Sequence, residues 1–223
     1  MKWNWKREIL PLTVLALIGA LSAYFYATLP EVIPSHFNIH DQPDRFAPKS
    51  QAILLGLGMI VLIYVLLTFI PFIDPFWKRI QKKYTLFLLF RDLALLFTGF
   101  LNVVVLLSAR AGVFQRDLFG IGYGLLFILL GNYLPKLPRN FFFGIRSPWT
   151  LSSDIVWKKT HIVSGWLFVV AGILIMILPF LGIHLGTVLL VTLLPVVVFS
   201  AFIYPFFLFK KLQRAGSTHV PEL

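Results

Sequence analysis

The sequence lacks cysteine entirely, and only 13% of its 223 residues are charged. Without cysteine the chain forms no disulfide, no thiolate nucleophile and no cysteine-based metal site. The nine acidic residues include no pair placed for acid and base work, and the phosphate-loop, HExxH and G-x-S-x-G motifs are missing. We therefore predict neither an enzyme nor a bound cofactor.

The residues that replace charge are hydrophobic, at 58% of the chain. They form six long runs, at residues 9–29, 51–71, 85–109, 118–134, 161–178 and 185–209. A helix needs about 20 apolar residues to cross the roughly 30 Å of a bilayer core, and it satisfies its own backbone hydrogen bonds. The sequence therefore predicts an all-α, multi-pass protein of the cell membrane with six transmembrane helices, and its first partner is the lipid bilayer.

The positions of the cations predict the orientation. If the N-terminus is inside, fifteen Lys and Arg residues, Lys2 among them, lie in inner segments, and only Arg45, Lys49, Arg110 and Arg116 lie outside. Because inner loops of membrane proteins are enriched in Lys and Arg, this bias predicts that both termini are cytoplasmic. The same bias accounts for the net charge of +11, and no separate basic domain exists, so we predict no direct nucleic-acid partner.

Polar segments divide the chain into three regions. Residues 1–72 form a two-helix unit with an extracytoplasmic loop at 30–50, residues 73–117 an interfacial segment and the third span, and residues 118–223 the last three spans. Four prolines in the loop at 30–50 predict ordered turns rather than a helix, folded over the outer helix ends. Aromatic and cationic residues at 74–84 predict either a helix in the headgroup layer or an ordinary cationic loop.

Small residues and prolines mark two further spans. Gly120 and Gly124 in the fourth span have the spacing that allows close helix packing, which we expect inside the protein rather than in a homodimer. Pro195 in the sixth span deletes a backbone donor, so we expect a bend there.

An ordered motif surrounds the connection between the fourth and fifth spans. Its residues are Asn132, Pro135-Lys136, Asn140, Gly144-Ile145-Arg146, Pro148-Trp149-Thr150-Leu151 and Val156-Trp157 followed by Lys159-Thr160-His161. This order resembles the signature of the SdpI family of bacterial membrane proteins. The outer loop resembles the domain of unknown function that often precedes that signature, through Ile33-Pro34, His36-Phe37-Asn38, Pro43-Asp44 and Lys49. It departs from that domain at Asp41, where glycine is usual.

The resemblance implies a bacterial immunity and signalling protein. Such a protein protects the cell against a secreted membrane-active toxin peptide at the outer face, and it sequesters a small cytosolic transcriptional repressor at the inner face. The residues leave two alternatives open, a small secondary transporter or efflux protein and an orphan envelope-stress protein.

We predict a binding role for the residues that carry these motifs and for one ionisable pair in the third span. They are Asn132, Pro135, Lys136, Asn140, Gly144, Arg146, Pro148, Trp149, Trp157, Thr160, His161, His36, Asn38, Asp44, Arg91 and Asp92. Aromatic and cationic residues of this kind also anchor a protein at the headgroup level, so structural packing of the inner corner is the alternative. The histidines and aspartates of the outer loop are bounded by prolines, and we predict no metal site there.

Three of these residues carry sharper expectations. Trp157 and His161 stand four apart and share a helix face, where a neutral His161 would accept a hydrogen bond near a helix start. Arg91 is either a functional residue at membrane depth or an anchor at the headgroup level. Adjacent residues point about 100° apart on a helix, so Arg91 and Asp92 need not pair.

Overall fold

The computed structural model describes residues 4–215, and Lys2 lies outside this range. Six helical segments of the described residues are long and apolar enough to cross a membrane: Ile9–Thr28, Lys49–Ile73, Trp77–Ala111, Arg116–Lys136, Asp154–Leu181 and Leu185–Arg214. The predicted all-α, six-span architecture and multi-pass membrane location are therefore confirmed. The cytoplasmic placement of the termini stays a prediction.

The elements follow one another with short connections. The helices are α1 Ile9–Thr28, α2 Lys49–Phe69, α3 Trp77–Ile80, α4 Tyr84–Ala111, α5 Arg116–Tyr133, α6 Pro148–Ser152, α7 Asp154–Ile177, α8 Leu185–Val198 and α9 Tyr204–Arg214. Two strands, β1 Val32–Phe37 and β2 Pro43–Pro48, lie between α1 and α2. Short 3-10 turns at Ile70–Ile73, Gln81–Lys83, Leu134–Lys136 and Leu178–Leu181 extend or join the helices.

Helices α1, α2 and α4 pack together as the N-terminal half of the bundle. Val14 and Ile18 of α1 meet Ile60 of α2 and Leu95 of α4 in one buried cluster. The lipid-facing sides of these helices keep large apolar side chains exposed, including Leu17 and Leu54. Because lipid replaces water around them, these exposed side chains carry no hydrophobic penalty.

Helices α5 and α7 approach each other backbone to backbone. A Cβ placed on Gly124 would lie 2.5 Å from the carbonyl oxygen of Gly172, and one on Gly131 would lie 2.5 Å from that of Gly165. Glycine is required here because the two backbones touch where a side chain would stand. The expected internal packing of the fourth span is confirmed, with the partner glycines on α7.

The outer loop forms an antiparallel hairpin, where we expected turns. Ile33 pairs with Ala47, and the ladder has irregularities on either side of His36. Ile33 is fully buried against the helices, and the ring of Phe37 lies 4.7 Å from that of Phe114 in the α4–α5 connection. The hairpin therefore covers the outer helix ends, which was predicted.

Three helical segments differ from the apolar runs of the sequence. The interfacial segment contains only the four-residue helix α3, followed by a 3-10 turn. The helix of the fifth span begins at Asp154, ahead of the apolar run at 161–178, because Lys158 and Lys159 continue the helix at the membrane surface. The sixth span is interrupted by a π-helical segment, Phe199–Ile203, that begins four residues after Pro195.

Ion pairs between residues that are distant in sequence show which segments share one end of the bundle. We call one end inner, where Arg91 pairs with Glu8 and Arg79 pairs with Asp154. Asp41 with His184 joins the opposite, outer end. The chain therefore alternates between the two ends, as six spans require.

Candidate functional site

The loop between α5 and α6 is folded around the side chain of Asn140. Asn140 is fully buried, and its Oδ1 accepts from the backbone N–H groups of Phe142 and Phe143 at 3.0 and 2.6 Å. Its Nδ2 donates to the carbonyl oxygens of Pro138 and Phe143 at 2.9 and 3.1 Å. One side chain thus satisfies four backbone groups of a tight turn, a role for a side chain that both donates and accepts.

His161 joins this loop to α7. Its Nε2 accepts from the Ile145 backbone N–H at 3.1 Å, and its Nδ1 lies 2.8 Å from the carbonyl oxygen of Trp157. Because a carbonyl can only accept and an amide N–H can only donate, the ring is neutral with its proton on Nδ1. His161 accepts the hydrogen bond expected of it, and both ring nitrogens are used within the protein.

Gly144 is held by the same contact. Its φ of +93° lies in the region that side-chain-bearing residues rarely adopt, and an added Cβ would collide with Nε2 of His161. The spacing from Gly144 to His161 in the motif therefore matches a direct packing contact.

Trp157 closes the corner on its other side. Its ring stacks on His161 with centroids 4.1 Å apart, and its Nε1 donates to the carbonyl oxygen of Leu137 at 2.9 Å. The expectation that these two residues share a helix face is confirmed. These two buried rings therefore hold the start of α7 against Leu137, which follows the 3-10 turn after α5.

Two caps organise α6 and α7. Ser147 caps α6 through a capping box with Thr150, whose Oγ1 accepts from the Ser147 N–H at 2.8 Å. Ser153 caps α7 by accepting from the Val156 N–H at 3.4 Å. α6 ends at Ser152, and α7 starts after Ser153 with Asp154 in its first turn.

Asp154 forms ion pairs with two arginines at the inner end. Arg79 Nη1 donates to its Oδ1 at 2.6 Å, and Arg139 Nε lies 3.0 Å from the same oxygen without forming a hydrogen bond. Burial lowers the pKa of the Arg139 guanidinium from its ordinary value, and the Asp154 charge opposes that shift. The surrounding surface remains strongly cationic.

The other motif residues lie at the surface or on separate faces. Lys136, Arg146 and Pro148 are exposed, and Arg146 Nη1 donates to the carbonyl oxygen of Phe141 at 2.7 Å. Trp149 lies against Phe206 of α9, with ring centroids 5.3 Å apart.

The remaining three motif residues belong to α5, its 3-10 extension and α7. Asn132 is exposed and donates to the carbonyl oxygen of Ile128 on its own helix. Pro135 packs at Gly165, and Thr160 is fully buried with an unpartnered hydroxyl. The motif therefore comprises a buried corner and an exposed rim, and a binding role for either remains a prediction.

On the outer hairpin the predicted residues stabilise the turn and the strand pair. His36 Nδ1 lies 2.5 Å from Asp44 Oδ1 across the strands. Asn38 Oδ1 accepts from the N–H groups of His40 and Gln42 at 2.9 and 3.1 Å. Among the described residues, no group of three His, Asp or Glu side chains is arranged to hold a metal ion.

Asp41 fastens the hairpin to α8. It adopts a φ of +61°, so it occupies the left-handed conformation for which glycine would be the usual residue. Its Oδ2 lies 3.2 Å from Nδ1 of His184 and accepts from the Leu185 N–H at 3.4 Å. Asp41 therefore adopts a strained backbone conformation at the turn, and its carboxylate lies at the N-terminus of α8, where a negative charge is stabilising.

Three outer connections converge beside Asp41 around a cavity of about 370 Å³. The hairpin contributes His40 and Asp41, the α4–α5 connection contributes Val113, Phe114 and Gln115, the start of α5 contributes Arg116, Asp117 and Leu118, and His184 comes from the α7–α8 connection. Both charge signs and an aromatic ring therefore line one concave surface.

Arg91 lies at the centre of a buried charged cluster at the inner end. Its side chain is 0% exposed. Nη1 donates to both oxygens of Glu8 at 3.1 and 2.9 Å, and Nε donates to Asp92 Oδ1 at 2.9 Å. Arg91 and Asp92 do pair, although adjacent residues of a helix point about 100° apart, because the guanidinium folds back along the helix far enough to reach its neighbour.

The cluster joins the ends of three helices. Nη2 of Arg91 donates to the carbonyl oxygen of Arg7 at 2.9 Å, and Nη1 also reaches Thr68 Oγ1 at 3.4 Å. The Tyr64 hydroxyl donates to Glu8 Oε2 at 2.9 Å. All three guanidinium nitrogens therefore have protein acceptors, which suits a fixed clamp rather than a mobile transport site.

Sequence reasoning missed two acidic residues that complete these arrangements. Glu8 precedes the first span and is 4% exposed. Asp74 is buried, and its two oxygens accept from the N–H groups of Phe76 and Phe141. The available signal was position, because Glu8 directly precedes the first apolar run and Asp74 closely follows the second.

Comparison with known proteins shows which proteins this chain is similar to. Residues 136–208 match the SdpI/YfhL protein family, and residues 13–61 match the domain of unknown function DUF1648. The immunity protein SdpI of Bacillus subtilis (strain 168) is 28% identical over 210 residues, which cover 93% of this chain and 98% of that protein. No solved structure matches. The resemblance seen in the sequence is confirmed: a region similar to the SdpI/YfhL protein family follows a DUF1648 region, and the similarity to an SdpI immunity protein extends over nearly the whole chain.

Proposed function

We propose that this protein is a membrane immunity protein that protects a bacterial cell against a secreted, membrane-active toxin peptide. The similarity to an immunity protein extends over nearly the whole of both chains. We further propose that the peptide is met at the outer cavity. The cavity is the observation that carries this step, because three separate outer connections converge on it.

The cavity has the chemistry that a peptide needs. Arg116 and Asp117 offer opposite charges to termini or side chains of a peptide, and Phe114 offers an aromatic surface. Asp41 holds the hairpin against α8 and so fixes one wall of the cavity. A preformed concave surface reduces the ordering cost of binding.

The proposal is tested by expressing the protein in a toxin-sensitive bacterium and counting survivors after exposure to toxin peptides. Protection should occur without chemical change to the peptide, measured by mass spectrometry of the medium, because the proposed protection is non-enzymatic. Killing equal to that of cells without the protein, across a panel of related peptides, would remove the immunity proposal.

A matched pair of variants tests the cavity. Val113 and Val32 are both outer-face valines, 62% and 58% exposed, and only Val113 lines the cavity. Val113→Trp should fill the cavity and abolish protection, whereas Val32→Trp should protect like wild type at an equal protein level. Equal protection by both variants would place the toxin contact elsewhere.

A second proposed function is the capture of a small cytosolic repressor at the exposed rim of the inner motif. Arg146, Phe141 and Pro148 are exposed on one loop, whereas His161 and Trp157 are buried and support it. Arg146→Ala should lose membrane recruitment of a repressor expressed from the same operon, while Arg146→Lys, which can still donate to Phe141, should retain part of it. If both variants instead reduce protein level and toxin resistance together, the loop is a structural corner.

A further inference from the structure

A second cavity, of about 430 Å³, opens at the inner end of the bundle. It lies where the α5 helix has just ended, where α7 begins, and beside the 3-10 turn that precedes α4. Six cations and one carboxylate line it, and the cations are Arg79, Lys82, Lys83, Lys136, Arg139 and Lys158. The cavity therefore has a strong positive potential.

The single carboxylate does not balance these charges. Asp154 is already shared by Arg79, at 2.6 Å, and Arg139, at 3.0 Å. The Lys83 ammonium donates to a neutral acceptor, the carbonyl oxygen of Lys136, at 3.2 Å. Lys136 Nζ lies 4.3 Å above the Tyr133 ring. The lysines thus surround the cavity without an anionic partner among the described residues.

The cavity lies at the ends of three membrane-spanning helices, which is the level expected for lipid headgroups. Tyr133 and Tyr84 mark the ends of α5 and α4, and Trp157 lies within the first turn of α7 and lines the cavity. Tyr133 is only partly buried, and such a ring favours this layer, where one edge contacts hydrocarbon and the other contacts water. A water-soluble anion would have no need of that depth, whereas a phospholipid places its phosphate there.

Apolar surface suited to acyl chains lies between the same two helices. A groove of about 320 Å³ between α4 and α5 is lined by apolar side chains and Gly122. Leu93 and Phe100 of α4 face Leu125 and Leu129 of α5 along it. A lipid anchored by its headgroup near Lys83 and Lys136 can lay a chain against this surface.

We propose that the inner cavity is a binding site for an anionic phospholipid, whose phosphate and headgroup are held by Lys82, Lys136 and Lys158. Basic pockets between transmembrane helices bind anionic headgroups in this way. The site is separate from the outer cavity proposed for the toxin and does not depend on it.

Native mass spectrometry of the full-length protein in detergent tests the site, with phosphatidylglycerol and phosphatidylcholine added in turn. One phosphatidylglycerol should remain bound at collision energies that remove the detergent and strip phosphatidylcholine. Replacing Lys82, Lys136 and Lys158 with Gln should weaken retention by about tenfold or more. The control variant replaces three lysines at the same end that lie outside the cavity, Lys6, Lys78 and Lys159, with Gln. It loses the same charge and should retain the lipid.

Other outcomes overturn the proposal. Equal retention of the two lipids by wild type would show that the cavity does not select anionic headgroups, and this comparison needs no variant. Equal weakening by the cavity and control variants would show general attraction to the charged surface. Displacement of the lipid by inorganic phosphate at the same concentration would identify a free-phosphate site instead.

Discussion

The buried Arg91 cluster gives a quantitative prediction about stability. Replacing Arg91 with Leu removes every donor that faces Glu8 except the Tyr64 hydroxyl, and Glu8 keeps a side chain that is only 5% exposed. Breaking a buried ion pair by removing one partner costs about 3–5 kcal/mol, because the remaining charge has no water. Asp92 is 20% exposed and can regain hydration, so Glu8 dominates the cost. We expect a loss of about 3 kcal/mol.

A double-mutant cycle isolates the pair. Glu8→Leu removes the stranded carboxylate, so Arg91→Leu combined with Glu8→Leu should recover most of the loss, since buried pairs replaced by apolar residues are often neutral. The coupling between the two positions should be at least about 2 kcal/mol. Arg110→Leu is the control, because Arg110 is exposed and makes one 3.4 Å contact with Tyr24. It should cost less than about 0.5 kcal/mol.

The assay is reversible unfolding in mixed micelles of mild detergent and dodecyl sulfate, followed by tryptophan fluorescence. Arg91→Leu within about 0.5 kcal/mol of wild type would refute the clamp. A double variant that loses the sum of the two single losses would show that Arg91 and Glu8 act independently.

Three further predictions concern packing and topology. Gly124→Ala should destabilise the protein by about 1–3 kcal/mol through overpacking. Gly19→Ala is the control, because nothing lies within 4 Å of its added Cβ, and it should be neutral or stabilising. Equal effects of the two variants in the same unfolding assay would contradict the contact between α5 and α7. Gly144→Ala should lower the folded yield, as a positive φ and a collision with a ring nitrogen both oppose it, and yield equal to wild type would count against this corner. Single cysteines at Gln42 and Lys159, both exposed, should react oppositely with an impermeant maleimide on intact cells, Gln42 labelling and Lys159 remaining unlabelled; labelling of Lys159 from outside would reverse the orientation.

The six spans could be predicted because hydrophobic runs report directly on burial in lipid. The apolar run alone does not mark the start of the fifth helix, since Lys158 and Lys159 end the run while the backbone continues as a helix from Asp154. Charged side chains at a membrane surface reach water without ending a helix. Hydropathy therefore locates the hydrocarbon core of a helix better than its ends.

The hairpin and the buried charges depend on contacts that no local pattern contains. Pro34 and Pro43 argue against strands, yet burial of Ile33 and contact with the helix ends hold the hairpin in place. Glu8 meets Arg91 across 83 positions of sequence. The motif from Gly144 to His161 could be recognised as a unit. Which of its residues are buried and which are exposed could not be predicted, because that depends on how the loop packs against α7.

The binding of toxin at the outer cavity is the central claim of this account, and protection from labelling measures it directly. The chain has no native cysteine, so Val113→Cys provides a single thiol in the cavity, and Ser35→Cys provides an exposed thiol on β1 outside it. On cells that the protein protects, saturating toxin peptide should slow the reaction of Val113→Cys with an impermeant maleimide and leave that of Ser35→Cys unchanged. Unchanged labelling of Val113→Cys in cells that survive the toxin would contradict the claim.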